Sequence, residues 1–94
     1  MTKAEMISTI QLAEATAWLQ LAEYNHEYAP TQEGQDAVFN WRLSDEEYNK
    51  KCAIWCALSD LLRSCDIHHG YDELQEKAME LNHDTYIRAK ERRF

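Results

Sequence analysis

The sequence predicts an all-α protein: a three-helix bundle of long antiparallel helices, with a short helical segment in the first connection. Its 94 residues include only two Gly and one Pro, too few turn residues for a many-stranded sandwich or barrel. Long stretches without Gly or Pro are instead rich in Ala, Leu, Gln and Glu, which favour helices. A chain of this length has room for one domain, so we assign residues 1–94 to a single helical domain.

The first long helix is predicted over about residues 2–28, because this stretch contains no Gly or Pro and ends before Pro30. Its apolar side chains form two seams instead of one when they are placed at about 100° per residue. The second seam indicates a central position or self-association, and we expect a homodimer or higher homo-oligomer. The alternative is that the short segment covers the second seam. The seams are Ile10, Ala17, Leu21, Tyr24 and Tyr28, and Leu12, Ala15, Leu19 and Ala22.

Residues 36–43 are compatible with a strand or with a short helix. Phe39, Trp41 and Leu43 alternate with polar residues as they would in a strand. Asp36 could equally cap one or two turns of helix. A lone strand would have no partner in a helical fold, so we predict a short helix laid across the bundle.

Capping motifs mark the start of the other two long helices. The second is predicted over about 45–66, because Ser44 and Glu47 have the spacing of a capping box. The third is predicted over about 72–92, where Asp72 precedes a Gln by three residues. The second helix has one wide apolar face, which includes Ile54 and Leu61, and small residues on its back that permit close helix approach. These small residues are Cys52, Ala53, Cys56 and Ala57.

The charge is strongly acidic and unevenly distributed. Ten basic and 17 acidic residues give a net charge of −7, which argues against binding of nucleic acid or anionic membranes by the body of the fold. Residues 85–94 carry four bases against one acid, so this tail is +3 and the rest of the chain is −10. Cations also suit a helix C-terminus, and we expect direct nucleic-acid contact only through this tail. Its bases are Arg88, Lys90, Arg92 and Arg93.

Nothing in the sequence indicates export or membrane insertion. The first residues are followed by Glu5 rather than by an apolar signal-peptide segment, and no window approaches the ~18 apolar residues of a membrane span. Three cysteines are a sparse and odd number for a secreted domain, so we expect reduced thiols. We therefore predict a cytoplasmic protein.

Two features could carry chemistry. Glu14 has Ile7, Trp18 and Leu21 as neighbours on the helical wheel, so it is either a buried or partner-reading acid or, as we favour, solvated in an exposed part of the helix. Cys52 and Cys56 are spaced to share a metal with a histidine. Structural zinc sites use closer cysteine pairs, and Cys is often buried for packing alone. We predict no metal and no cofactor.

The third helix carries a row of acids. Asp72, Glu73 and Glu76 are similar to half of the paired-carboxylate motif of the all-α nucleoside triphosphate pyrophosphohydrolases. This resemblance implies magnesium held by acids from two helices. The second element of that motif, Glu-x-x-Asp, is missing from the later part of the chain. The simpler interpretation is a solvated face with ion pairs such as Glu73 with Lys77 and Asp84 with Arg88.

The absence of phosphate-binding, dinucleotide-binding and Cys-x-x-Cys motifs favours binding over catalysis, and we predict no catalytic residue. We predict an acidic protein that binds a partner with a basic surface. Such chains are typical of phage and mobile-element accessory proteins, including inhibitors of host or defence nucleic-acid enzymes, in the cytoplasm of a bacterial host. The alternatives are a pyrophosphohydrolase-like enzyme and a structural assembly component. Candidate binding residues are Glu14, Trp18, Tyr24, Tyr28, Phe39, Trp41, Glu73, Glu76, Glu80 and Asp84.

Overall fold

The computed structural model describes residues 2–29 and 35–91 and contains four helices there. The helices are α1 (Lys3–Tyr28), α2 (Gln35–Ser44), α3 (Glu46–Ser64) and α4 (Asp72–Glu91). No strand occurs in these two described segments, so the all-α prediction is confirmed, and residues 36–43 lie in a helix. Pro30, before which the first helix was predicted to end, lies outside the described residues.

Local hydrogen bonds determine where the helices begin and end. Asp45 caps α3, because its carboxylate accepts from the Tyr48 N–H at 2.8 Å. The capping box predicted at Ser44 is wrong by one residue. Ser44 is the last residue of α2, and its hydroxyl donates to a carbonyl of that same helix at 3.0 Å. At the other end of α3, the backbone of Asp66 is left-handed, with φ 56°, and ends the helix.

Helix α1 is central, since it packs against both α3 and α4. Its contacts with α3 run in opposite chain order. The Tyr24 hydroxyl donates to Asp45 at 2.9 Å, and the Gln11 amide donates to the His68 carbonyl at 2.8 Å. The central position explains the two apolar seams of α1 without a second chain, so these seams no longer argue for self-association.

Contacts between α1 and α4 follow the same chain order, so the antiparallel arrangement predicted for the long helices does not hold for this pair. The hydroxyls of Ser8 and Tyr71 are hydrogen-bonded at 3.1 Å, and His26 Nε2 donates to Asp84 Oδ2 at 2.6 Å. The two helices that flank α1 stay apart from each other. Among the described residues, no Cα atom of α3 lies within 8 Å of a Cα atom of α4. The bundle is therefore open on one side of α1.

The core is thin because small side chains dominate it. Among the residues whose burial is described, five of the eight buried hydrophobic ones are alanines, which allow close helix packing but remove little apolar area from water. The radius of gyration is 15.0 Å, against about 12 Å for a compact domain of this length. Many large apolar side chains consequently stay exposed. Those that are more than half exposed are Met6, Phe39, Leu43, Ile54, Met79 and Tyr86.

Glu14 lies at the centre of the bundle and is completely buried. Its Oε1 accepts from Trp55 Nε1 at 2.9 Å and lies 3.0 Å from His69 Nδ1. Its Oε2 accepts from Gln75 Nε2 at 2.8 Å. The expectation of a solvated Glu14 is wrong, because α3, α4 and the connection between them each supply a donor that replaces water. The carboxylate joins all three long helices through one group.

We expect Glu14→Ala to lower the free energy of unfolding by about 2–4 kcal/mol, because it leaves partly buried donors on Trp55 and Gln75 unpaired. The matched control is Glu23→Ala, which removes an exposed glutamate from the same helix and should change stability by less than about 0.5 kcal/mol. Urea unfolding followed by circular dichroism measures both. Equal effects of the two substitutions would contradict a central role for Glu14.

Candidate functional site

An open groove of ≈ 740 Å³ lies between α3 and α4, within the size range of ligand sites. Trp18, Leu21 and Asn25 of α1 form the floor, and α2, which contacts both α3 and α4, contributes one end. We call this the aromatic groove. It is lined by Trp18, Leu21, Asn25, Asp36, Val38, Phe39, Arg42, Tyr48, Cys52, Trp55, Asn82 and Tyr86.

Aromatic rings at the floor and the rim give the groove its chemistry. The rings of Trp18 and Trp55 are stacked with centroids 6.0 Å apart, and the hydrogen bond from Trp55 to Glu14 fixes their position. At the rim, Phe39 is 63% exposed and Tyr86 is 57% exposed. Exposed rings beside a groove are typical of interaction sites.

Arg42 attaches α2 to the rest of the groove. Its Nε donates to Asn25 Oδ1 at 3.1 Å, and its guanidinium carbon lies 5.9 Å from the centroid of the Tyr48 ring. The first contact reaches the floor and the second reaches α3, and the second is a cation–π interaction. Arg42 thereby holds the end of the groove that Phe39 lines.

A second aromatic cluster lies at the corner between α1, α2 and α3. Its ring centroids are 4.6 Å apart for Tyr24 and Tyr28, 6.1 Å for Tyr24 and Trp41, and 5.5 Å for Trp41 and Tyr48. Burial, together with the hydrogen bond to Asp45, raises the pKa of Tyr24 to about 12. The bond from the Tyr48 N–H is the main cause that lowers the pKa of Asp45. This cluster joins the helices and does not belong to the groove, apart from Tyr48.

The acids of α4 divide into two groups. Glu73, Glu76 and Glu80 are exposed and available to a partner. Asp84 is paired with His26 and lies 2.9 Å from Arg88 Nε. The hydrogen bond from His26, and next the charge of Arg88, lower the pKa of Asp84. The predicted pair of Asp84 with Arg88 is present. The ion pair expected for Glu73 is not formed among the described residues.

The groove contains two of the ten residues predicted to bind a partner. Trp18 and Phe39 line it, whereas the other predicted aromatic residues belong to the corner cluster and Glu14 supports the floor from below. Trp55 and Tyr86 were missed as site residues, because helical periodicity does not distinguish a side chain facing the core from one facing a groove. Of the basic tail, Arg88 is paired with Asp84. The side chains of Lys90, Arg92 and Arg93 lie outside the described part of the chain.

Within residues 2–29 and 35–91, no group of three or more His, Cys, Asp or Glu side chains could hold a metal ion. The three cysteines are free, and burial raises the pKa of Cys52. The acids of α4 therefore give the pyrophosphohydrolase resemblance no added support. No helix of the described segments is long and apolar enough to span a membrane.

We expect the stabilising effect of Asp84 to depend on pH. A carboxyl whose pKa is lowered on folding stabilises the fold above its unfolded value, near 3.8, and loses that effect as the pH falls through the folded pKa. Asp84→Asn should therefore destabilise the protein at pH 7, and the difference from wild type should shrink below pH 3.8. Urea midpoints between neutral and acid pH measure this difference.

The control for this series is Asp60→Asn, since Asp60 is 72% exposed and has a 3.7 Å contact with Arg63. Exposed pairs of this kind contribute little. A difference between wild type and Asp84→Asn that is the same at every pH would contradict the assignment.

No family model, curated protein or solved structure matches the chain.

Proposed function

We propose that this protein binds an amphipathic, positively charged helix of a protein partner in the aromatic groove. The observation that carries the proposal is the exposure of Phe39 and Tyr86, which line one groove from two different helices and are 63% and 57% exposed. Aromatic residues that border a pocket commonly supply most of the energy of an interface. Amphipathic helices commonly bind in grooves of this kind.

The dimensions of the groove suit a short helix. The floor runs from Trp18 to Asn25 along α1, a distance of about 10 Å at the helical rise of 1.5 Å per residue. A bound helix with apolar side chains at positions i, i+3 or i+4, and i+7 covers the same distance. The stacked rings of Trp18 and Trp55 are held in place before binding, so little ordering entropy is lost at the floor.

Charge supports a basic partner. Glu73, Glu76 and Glu80 are exposed on α4, which forms one side of the groove, and the whole chain has a net charge of −7. These carboxylates would attract lysine and arginine side chains on the outer face of the bound helix and speed its association. Salt would then weaken binding.

Binding of this kind agrees with the predicted inhibitory role. Basic amphipathic helices often contact nucleic acid, and the exposed acids of α4 would compete with nucleic acid for the basic side chains of a helix held in the groove. Inhibition of a host or defence nucleic-acid enzyme by a phage or mobile-element protein would follow from that competition.

The proposal is tested with a fluorescently labelled peptide of about 14 residues, with Leu at i, i+4 and i+7 and Lys on the opposite face. We expect binding to the wild-type protein that weakens as salt is added. A peptide of the same composition in scrambled order should bind at least about tenfold more weakly, and a version with Glu in place of Lys should not bind. Fluorescence anisotropy titrations measure all three.

The groove is tested in the same assay by Phe39→Ala and Tyr86→Ala, each of which should weaken binding by about tenfold or more. Met6→Ala is the control, since Met6 is 51% exposed but lies outside the groove. It should bind the peptide as wild type does. Equal binding of ordered and scrambled peptides, or full binding by both groove variants, would overturn the proposal.

A further inference from the structure

Helix α3 exposes a second apolar surface on the face opposite to its buried residues. Ile54 is 51% exposed and Leu61 is 44% exposed, and two exposed alanines lie beside them. The prediction that these alanines lie on the back of the face that carries Ile54 and Leu61 is therefore wrong. The spacing of three and four residues aligns these side chains into one ridge. We call this ridge the α3 stripe. It consists of Ala53, Ile54, Ala57 and Leu61.

We propose that the α3 stripe is the interface with a second copy of this chain, in which the two α3 helices pack in antiparallel orientation about a twofold axis. Ile54 and Leu61 lie at equal distances from the point between residues 57 and 58. A twofold axis at that point therefore places Ile54 of each copy opposite Leu61 of the other, so the same contact forms at two places in the interface. The exposed alanines permit close approach of the two helices, and such a self-complementary surface is what a twofold dimer requires.

Charge identifies a second copy as the occupant. Helix α3 contains three acids and three bases, whereas α1 contains four acids and one base, and α4 six acids and three bases. Two chains of net charge −7 repel each other, and this repulsion is smallest where their neutral helices meet. A basic partner would be attracted to α4, where acids outnumber bases, and not to α3, where their numbers are equal. The neutral apolar stripe thus fits another copy better than it fits a basic protein.

Local ion pairs support the same assignment. Lys51 lies 3.6 Å from Glu47, and Arg63 lies 3.7 Å from Asp60. These charges are matched within α3 itself, so the ends of the stripe need no oppositely charged partner. Tyr48 and Trp55 lie on the other face of α3, in the aromatic groove. Dimer formation therefore leaves the groove open and is independent of the function proposed for it.

The stripe is short, about two and a half helical turns, which is small beside a standard interface of ~1,600 Å². We expect a dimer that dissociates on dilution. Sedimentation velocity over a concentration series should show the mass rising from 11.1 kDa to about twice that value. A mass that stays monomeric at every concentration, up to the solubility limit, would overturn the proposal.

Two substitutions locate the interface. Ile54→Glu and Leu61→Glu should each weaken the dimer by at least tenfold, because each places a carboxylate against an apolar side chain of the second copy at two points of the interface. Met6→Glu, which changes a 51% exposed side chain on α1, should leave the dimer as in wild type. Far-UV circular dichroism checks that the variants keep their helices. A dimer that persists unchanged in both stripe variants would overturn the assignment to α3.

A disulfide test does not depend on the charged variants. In a background with Cys52, Cys56 and Cys65 changed to Ser, the substitution Ala57→Cys places one thiol beside the twofold axis of each dimer. Oxidation should link the two chains, with a yield several times that of Ala4→Cys, an exposed position on α1. Equal yields from the two positions would overturn the antiparallel pairing.

Discussion

The fold depends on one buried carboxylate. Glu14 is completely buried, and its oxygens accept hydrogen bonds from Trp55 of α3 and Gln75 of α4, with His69 of the connection 3.0 Å away. A buried charge without such partners would be very costly. The two outer helices must therefore be placed so that all three donors reach one point on α1. This requirement links α3 to α4 although their backbones do not approach each other closely.

The groove is a consequence of the same arrangement. Small residues in the two seams of α1 draw α3 and α4 close to it on either side, but they supply too little volume to close the space above Trp18. Glu14 orients the Trp55 indole, and Trp55 stacks on Trp18, so the floor of the open space is a fixed aromatic surface. The rings at the rim stay exposed because no helix of the described segments covers them. A thin alanine core and an exposed aromatic groove thus have one cause.

Helix positions could be predicted because their signals are local. Capping residues, the scarcity of Gly and Pro, and apolar spacing placed every helix to within two residues of its observed ends, and the error at Ser44 arose because the adjacent Asp45 offers an equally good cap. The two seams of α1, with Glu14 and Trp18 between them, were also visible in the sequence. The groove was not, because it depends on which sides of α1 the other helices occupy. The sides that the helices occupy are decided by long-range contacts: Glu14 bonds to Trp55, 41 positions along the chain, and to Gln75, 61 positions along the chain.

The two faces of α3 have different proposed roles. Its inner face supplies Tyr48 and Trp55 to the groove, whereas its outer face carries the neutral stripe. In the proposed dimer, the outer faces are covered and two grooves remain open on one particle. A partner with two basic helices would then bind the second groove at high effective concentration, without any new contact. Self-association through a weak, neutral surface would in this way raise the affinity of an acidic protein whose single groove spans only about two helical turns.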